Sequence, residues 1–115
     1  MTPSVGRIVH YMLSQNDAEQ INRRRTSGAS IAERIPSEKW PIGAQAHIGN
    51  RAEEGQVYPM LIVRVWSATP NDVTAVQGQV FLDGNDVFWA TSVSQVPSDI
   101  SDDQKRGRWF APPRA

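Results

Sequence analysis

Two runs with strand-like alternation, "VTAVQGQVFL" and "VFWATSV", flank the tetrapeptide "DGND" at 83–86. Asp-Gly and Gly-Asn steps supply the positive φ values that tight hairpin turns need, so the two runs read as antiparallel neighbours. A hairpin of this kind is marginal alone, and the rest of the 115 residues must complete a sheet around it. A chain of that length makes one domain, 1–115, with room for one modest core.

Further strands are legible on both sides. "GRIVHYML" alternates and is rich in β-branched and aromatic residues, which makes it a first strand. In "VYPMLIVRVW", Leu61, Val63 and Val65 form a wholly apolar face, and Met60, Ile62, Arg64 and Trp66 a mixed one. That is a strand buried on at least one side. Before "DGND", Val76, Val80 and Leu82 are expected to face inward, and Gly78 marks a bend or bulge. Near the end, "GRWF" adds a short last strand, and 111–115 form a tail.

After the first strand the period changes. "SQNDAEQINRRR" opens with Ser14 and places Asp17 three residues later, an imperfect capping box that predicts a short helix from about Ser14 to Arg25. From Thr26 to Gln56 the pattern fades over four Gly and two Pro, and an excursion that long reads as a functional or mobile loop, more mobile than the strands. The sum is a mainly β fold: a small SH3-like (Tudor-like) five-stranded barrel with a long helix-containing insertion, 14–56, between strands 1 and 2. Its expected core is Val9, Leu61, Val63, Val65, Val80, Leu82 and Trp89.

Composition removes several functions. With no cysteine, disulfides, thiolate nucleophiles and cysteine-held metals are excluded, and a reducing compartment fits. The start "MTPSVGRIVHYML" has no basic leader or continuous apolar stretch, so a cytoplasmic protein is expected. Twelve basic and twelve acidic side chains balance to zero, which disfavours duplex DNA as a partner, and no apolar run is long enough for a membrane span. The basic set is ten Arg against two Lys. Arg forks suit phosphate, although a GC-rich genome gives the same bias. His10 and His47 have no acidic neighbour at ligand spacing, and "DGND" lacks the acidic twelfth position of a calcium loop, where Ser94 stands. No metal and no cofactor is expected. No phosphate loop, nucleophile elbow or His-containing triad is present either, so no enzyme is expected.

The stretches "VGRIVHY", "YPMLIVRVW", "VFLDGNDVFWATSV" and "GRWFAPP" resemble a group of small proteins encoded by tailed bacteriophages and prophages, over most of the chain from Val5 to Pro113. In that group the C-terminal segment often reads Gly-x-Trp-x-Trp-Pro; here Phe110 stands in place of the second Trp. The resemblance carries over no site residue. It implies a setting, a phage accessory gene product in a bacterial cytoplasm, where such proteins act by binding a host factor or a nucleotide signal of host defence.

Within that setting the candidate ligand residues are Arg24, Arg34, Trp40, His47, Arg51 and Trp109. Arg23, Arg24 and Arg25 fan over about 200° on a helix, so at most two of them share a ligand. Arg23 follows Glu19 by four residues, and the stem of Arg25 is placed to cover Ile21; Arg24 is left for an anion, with Arg34 or Arg51 assisting. The same three cations equally complement the helix dipole. Trp66 and Trp89 sit in strand patterns as core or barrel-face residues, whereas Trp40 and Trp109 either stack on a base or plug the barrel end. The expected function is non-enzymatic sequestration of a small phosphorylated nucleotide, a host immune signal, by a homo-oligomer. The alternative is a protein-interaction module that inhibits a host factor, or a minor virion or assembly component. An exposed apolar patch favours the alternative, and a basic, aromatic-lined pocket the nucleotide.

Overall fold

The structure, a computed structural model, describes residues 2–25, 48–66 and 75–113. Its elements are β1 (Ile8–Met12), α1 (Gln15–Arg24), β2 (Val57–Val65), β3 (Ala75–Phe81), β4 (Val87–Ser94), a one-turn α2 (Asp102–Lys105) and β5 (Trp109–Phe110). All pairings in the sheet are antiparallel and its order is β4-β3-β2-β1-β5. The sheet curls into a half-barrel until its two ends meet. Beyond β4, Gln95 bridges Trp109, and the Val96 N–H donates to the Trp109 carbonyl at 2.9 Å. No helix among the described residues is long and apolar enough to cross a membrane.

The curl has a local cause on both sides of β3. Ile62 pairs with Gly78 but Arg64 pairs with Gln77, so Val63 is an extra residue in β2. On the other side Gly78 pairs with Ala90 and Val76 with Val93, which leaves Thr91 and Ser92 opposite Gln77. Ser92 takes φ of 52° to accommodate the bulge. Two bulges at one level bend the sheet and sharpen its twist.

Bulges also switch which residues face inward. Along β2, Met60 and Ile62 are fully buried and, past the extra Val63, it is Val65 that packs on the core. Along β4, Phe88 and Ala90 point inward and, past Thr91 and Ser92, so does Val93. The expected inward face of β2 is therefore corrected: Leu61 is half-buried, Val63 is exposed, and Met60 and Ile62 take their place. Trp89 is corrected too. It is 44% exposed on the outer face, and Trp66 is similarly exposed with the Arg64 guanidinium 3.9 Å from its ring centre. The expected inward set of β3, Val76, Val80 and Leu82, is found buried, as is Val9.

α1 closes the concave side. The capping box is complete: the Ser14 hydroxyl accepts from the Asp17 N–H at 3.1 Å, and Asp17 Oδ2 accepts from the Ser14 N–H at 3.0 Å. The buried Tyr11 hydroxyl donates to that same Asp17 oxygen at 2.5 Å, tying the helix start to β1. Burial, aided by this bond, pushes the Tyr11 phenol well above its ordinary range, so it stays a donor. Ala18 and Ile21 then join Val9, Met60, Ile62, Val80 and Trp109 in the main core. Met12, Val96 and Phe110 form a smaller cluster beside it.

At the bend, Gly78 leaves no room for a side chain. A Cβ there would stand 2.5 Å from Met60 Cγ and 2.9 Å from the Leu61 carbonyl oxygen. Gly78→Ala gains about 0.4–1 kcal/mol by restricting the unfolded chain, but overpacking against Met60 costs about 1–3 kcal/mol. The variant is expected to unfold at lower urea concentration than the wild type; equal or higher stability would show that Met60 yields freely and that the bend does not depend on this contact.

Candidate functional site

The three arginines at the end of α1 have separate tasks. Arg23 lies exposed, its Nε donating to the Glu19 carbonyl at 3.3 Å. Arg25 runs inward, with 8% of its side chain exposed: one Nη donates to the Asn50 carbonyl and the other to Asp86 Oδ1 at 3.0 Å. Arg24 lies on the same carboxylate from the other side, Nη2 standing 3.1 Å from Asp86 Oδ2 and donating to the Val87 carbonyl at 2.6 Å. The anion at the arginine cluster is thus Asp86 of the "DGND" turn, whose side chain is only 2% exposed.

Two turns are built to receive this pair. "IGN" at 48–50 faces "DGND" through a Gly49–Gly84 bridge, with the Asn85 N–H donating to the Ile48 carbonyl at 2.8 Å and Asn50 Nδ2 to Asp83 Oδ2 at 2.8 Å. The Arg25 guanidinium lies against both glycines. A Cβ on Gly49 would come within 2.7 Å of Arg25 Nη1, and one on Gly84 within 2.6 Å of the Ile48 carbonyl oxygen. Asn22 completes the junction by exchanging hydrogen bonds with the Ala52 backbone at 2.8 and 2.9 Å.

The sequence-predicted ligand residues do not converge among the described residues. Arg24 is engaged with Asp86, and its Cζ lies 6.0 Å from the Phe88 ring centre. Arg25 spends its guanidinium on Asp86 and Asn50, so its task is more than covering Ile21. Arg51 borders a shallow cavity of about 270 Å³ on the outer side of α1, in company with Glu19, Glu53 and Glu54, a setting that repels phosphate. Trp109 is 0% exposed and its Nε1 has no hydrogen-bond partner. Of the two readings of that indole, the plug is the one its position matches, since stacking requires an accessible ring. Arg34, Trp40 and His47 lie outside the described residues.

A different set of residues gathers at the β1–β5 side. His10 pairs in register with Phe110, and their rings meet edge to face with centroids 5.8 Å apart. Lys105 Nζ stands 5.0 Å from the centre of the Phe110 ring. Together with Val57, Ser98 and Asp102 these side chains line a groove of about 480 Å³. Its wall is braced by Arg106, which bridges Glu54 at 2.9 Å and Asp103 at 2.8 Å and so ties α2 to the turn before β2. An apolar floor with one ammonium, one carboxylate, one hydroxyl and one imidazole at the rim can hold a flat, partly anionic molecule. Among the described residues, no three metal-ligating side chains converge.

Sequence reasoning passed over this groove because its parts come from 10, 57, 98–105 and 110. The usable signal was Lys105 five residues before Phe110 in "KRGRWF"; the pairing of Phe110 with His10 exists only in the sheet register. Comparison of the chain with protein-family models, with curated proteins and with solved structures gives no match.

The Asp86 clasp makes a stability prediction. Removing the partner of a buried charge costs about 3–5 kcal/mol, whereas a partly exposed ion pair is worth about 1 kcal/mol or less. Because the Arg25 side chain is buried and that of Arg24 is one-third exposed, Arg25→Ala is expected to lower the urea midpoint far more than Arg24→Ala. Equal effects in equilibrium unfolding would overturn this division of labour.

Proposed function

We propose that the protein is a non-enzymatic binding protein that captures a small phosphorylated nucleotide in the groove between β1, β5 and α2. The observation that carries this reading is the grouping of the Lys105 ammonium and the His10 and Phe110 rings around a space of about 480 Å³. That volume suits a nucleotide-sized ligand. A base would lie on the apolar floor offered by Val57 and Phe110, Lys105 would meet a phosphate, and Asp102 would accept from a ribose hydroxyl. The mechanism is sequestration, in which tight binding lowers the free concentration of the ligand without turnover.

The order β4-β3-β2-β1-β5, with β5 beside β1 and the end of β4 returning to β5, supports assignment to the SH3-like barrels. On that assignment α1 and the segment after it are an insertion between the first two strands. The resemblance to phage proteins gives the ligand a biological class, a nucleotide signal of bacterial defence, met in the host cytoplasm.

One observation favours a second reading. The convex face of the sheet exposes Ile8, Val63, Phe81, Val87 and Trp89, an apolar surface suited to a protein partner.

The test is a thermal-shift screen of cyclic oligonucleotides and ADP-ribose derivatives. A ligand at a hundred times its dissociation constant stabilises the fold by about 2.7 kcal/mol. Lys105→Ala is expected to weaken that ligand by about 1.5–3 kcal/mol, the scale of a charged hydrogen bond, with the melting temperature of the free protein unchanged. Absence of any shift across the screen, or a shift that Lys105→Ala leaves untouched, would sink the proposal.

A further inference from the structure

Phe110 belongs to the floor of the groove, yet only 6% of its surface is exposed. Met12 and Val96 pack against it, with Ile100 beside them, and His10 adds the edge-to-face contact at 5.8 Å. Of the residues that line the groove, Lys105 stands over the ring. Its ammonium is 5.0 Å from the ring centre, within the distance at which a π face attracts a cation.

The backbone that carries Lys105 is fixed from several sides. Arg106 holds Glu54 at 2.9 Å and Asp103 at 2.8 Å. The Lys105 carbonyl accepts from the Arg108 N–H at 2.9 Å, and the Gly107 N–H donates to the Met12 carbonyl at 2.8 Å. The side chain is not fixed in the same way. Among the described residues no carboxylate forms an ion pair with its ammonium, and the stem of a lysine is flexible. Moving that one side chain uncovers Phe110 while α2 stays in place.

We infer that Lys105 makes the groove selective for phosphorylated ligands by covering the Phe110 platform until a phosphate draws the ammonium away. This rests on the proposed nucleotide reading and deepens it. A base reaches the Phe110 ring only when the ammonium leaves it. A nucleotide compensates for that loss, because its phosphate accepts a charged hydrogen bond from Lys105, and such a bond is stronger than an exposed contact with a π face. A nucleoside offers the ammonium no such partner, so its base must displace a cation and gives nothing in return. Lys105 thus attracts the phosphorylated ligand and competes with the unphosphorylated one, and specificity gains from both effects.

NMR on the full chain tests it. In the free protein the ε-methylene protons of Lys105 are expected upfield of a solvated lysine, shifted by the Phe110 ring current. They should return toward the solvated position as a ribonucleoside 5′-monophosphate is titrated in. Affinities of the common ribonucleosides and their 5′-monophosphates are then compared between wild type and two variants. The wild type should bind monophosphates at least about tenfold more tightly than nucleosides, the scale of a charged hydrogen bond. Lys105→Ala, which uncovers the ring, should lose that preference and bind nucleosides about two- to fivefold more tightly than the wild type does, the equivalent of an exposed cation–π contact. Lys105→Met, which keeps an unbranched chain over the ring without the charge, should lose the preference and gain nothing for nucleosides. Unshifted ε-methylene protons in the free protein, or a Lys105→Ala variant that binds nucleosides no better than the wild type, would overturn the inference and leave the nucleotide reading standing. Failure of every monophosphate to bind the wild type would remove both.

Discussion

The carboxylate of Asp86, held between two guanidinium groups, is the interaction on which the arrangement of the other parts depends. It lies at the tip of the β3–β4 hairpin, and the arginines that grip it end α1. Through this contact the helix is fastened at both ends: Tyr11 and the Ser14–Asp17 capping box hold its start to β1, and Asp86 holds its exit to the far side of the sheet. A helix of ten residues is too short to persist alone in water. Clamped at both ends across the concave face, it can deliver Ala18 and Ile21 to the core. The two cations that share Asp86 offset the cost of burying it, and Gly84 in its own turn and Gly49 in the facing one let a guanidinium lie against the backbone.

Much of the fold was legible because its signals are local. The "DGND" hairpin, the Ser14 cap and the inward set of β3 each depend on residues a few positions apart. Inward and outward faces of β2 and β4 were not legible, for a physical reason. Both strands are apolar on both sides, so period two alone does not choose a face, and each carries a bulge that inverts the period halfway along. Reading β2 back from Val65 gives Val63 and Leu61; reading it with the bulge gives Ile62 and Met60. Trp89 was misassigned through the same ambiguity, since its neighbour Phe88 has equal claim to the core. Trp109 shows the converse: a two-residue strand carries too little pattern to announce that it fills the gap between the sheet ends.

The site was less legible than the fold because it is made by register. No spacing in the sequence brings His10 to Phe110; that contact follows from β5 lying beside β1. The arginine cluster, by contrast, was conspicuous and misleading as to partner. The expectation that neighbouring helical positions point apart does not reach this pair: Arg25 already leaves the helix as its C-cap, with extended backbone, and Arg24 and Arg25 converge on one carboxylate.

These assignments show where the arginines of an electrically neutral chain are used. Arg24, Arg25 and Arg106 are committed to carboxylates of the same chain, and Arg64 lies on an indole face. Their forks serve the architecture, where a planar, multidentate cation is worth most. The groove is lined instead by Lys105, one of only two lysines, and on the proposed reading its point charge on a flexible stem would follow a phosphate without demanding fixed geometry. Arginine builds the frame, and on the proposed reading lysine faces the ligand. On this view the abundance of arginine says little about what the protein binds, and the position of one lysine beside one phenylalanine says more.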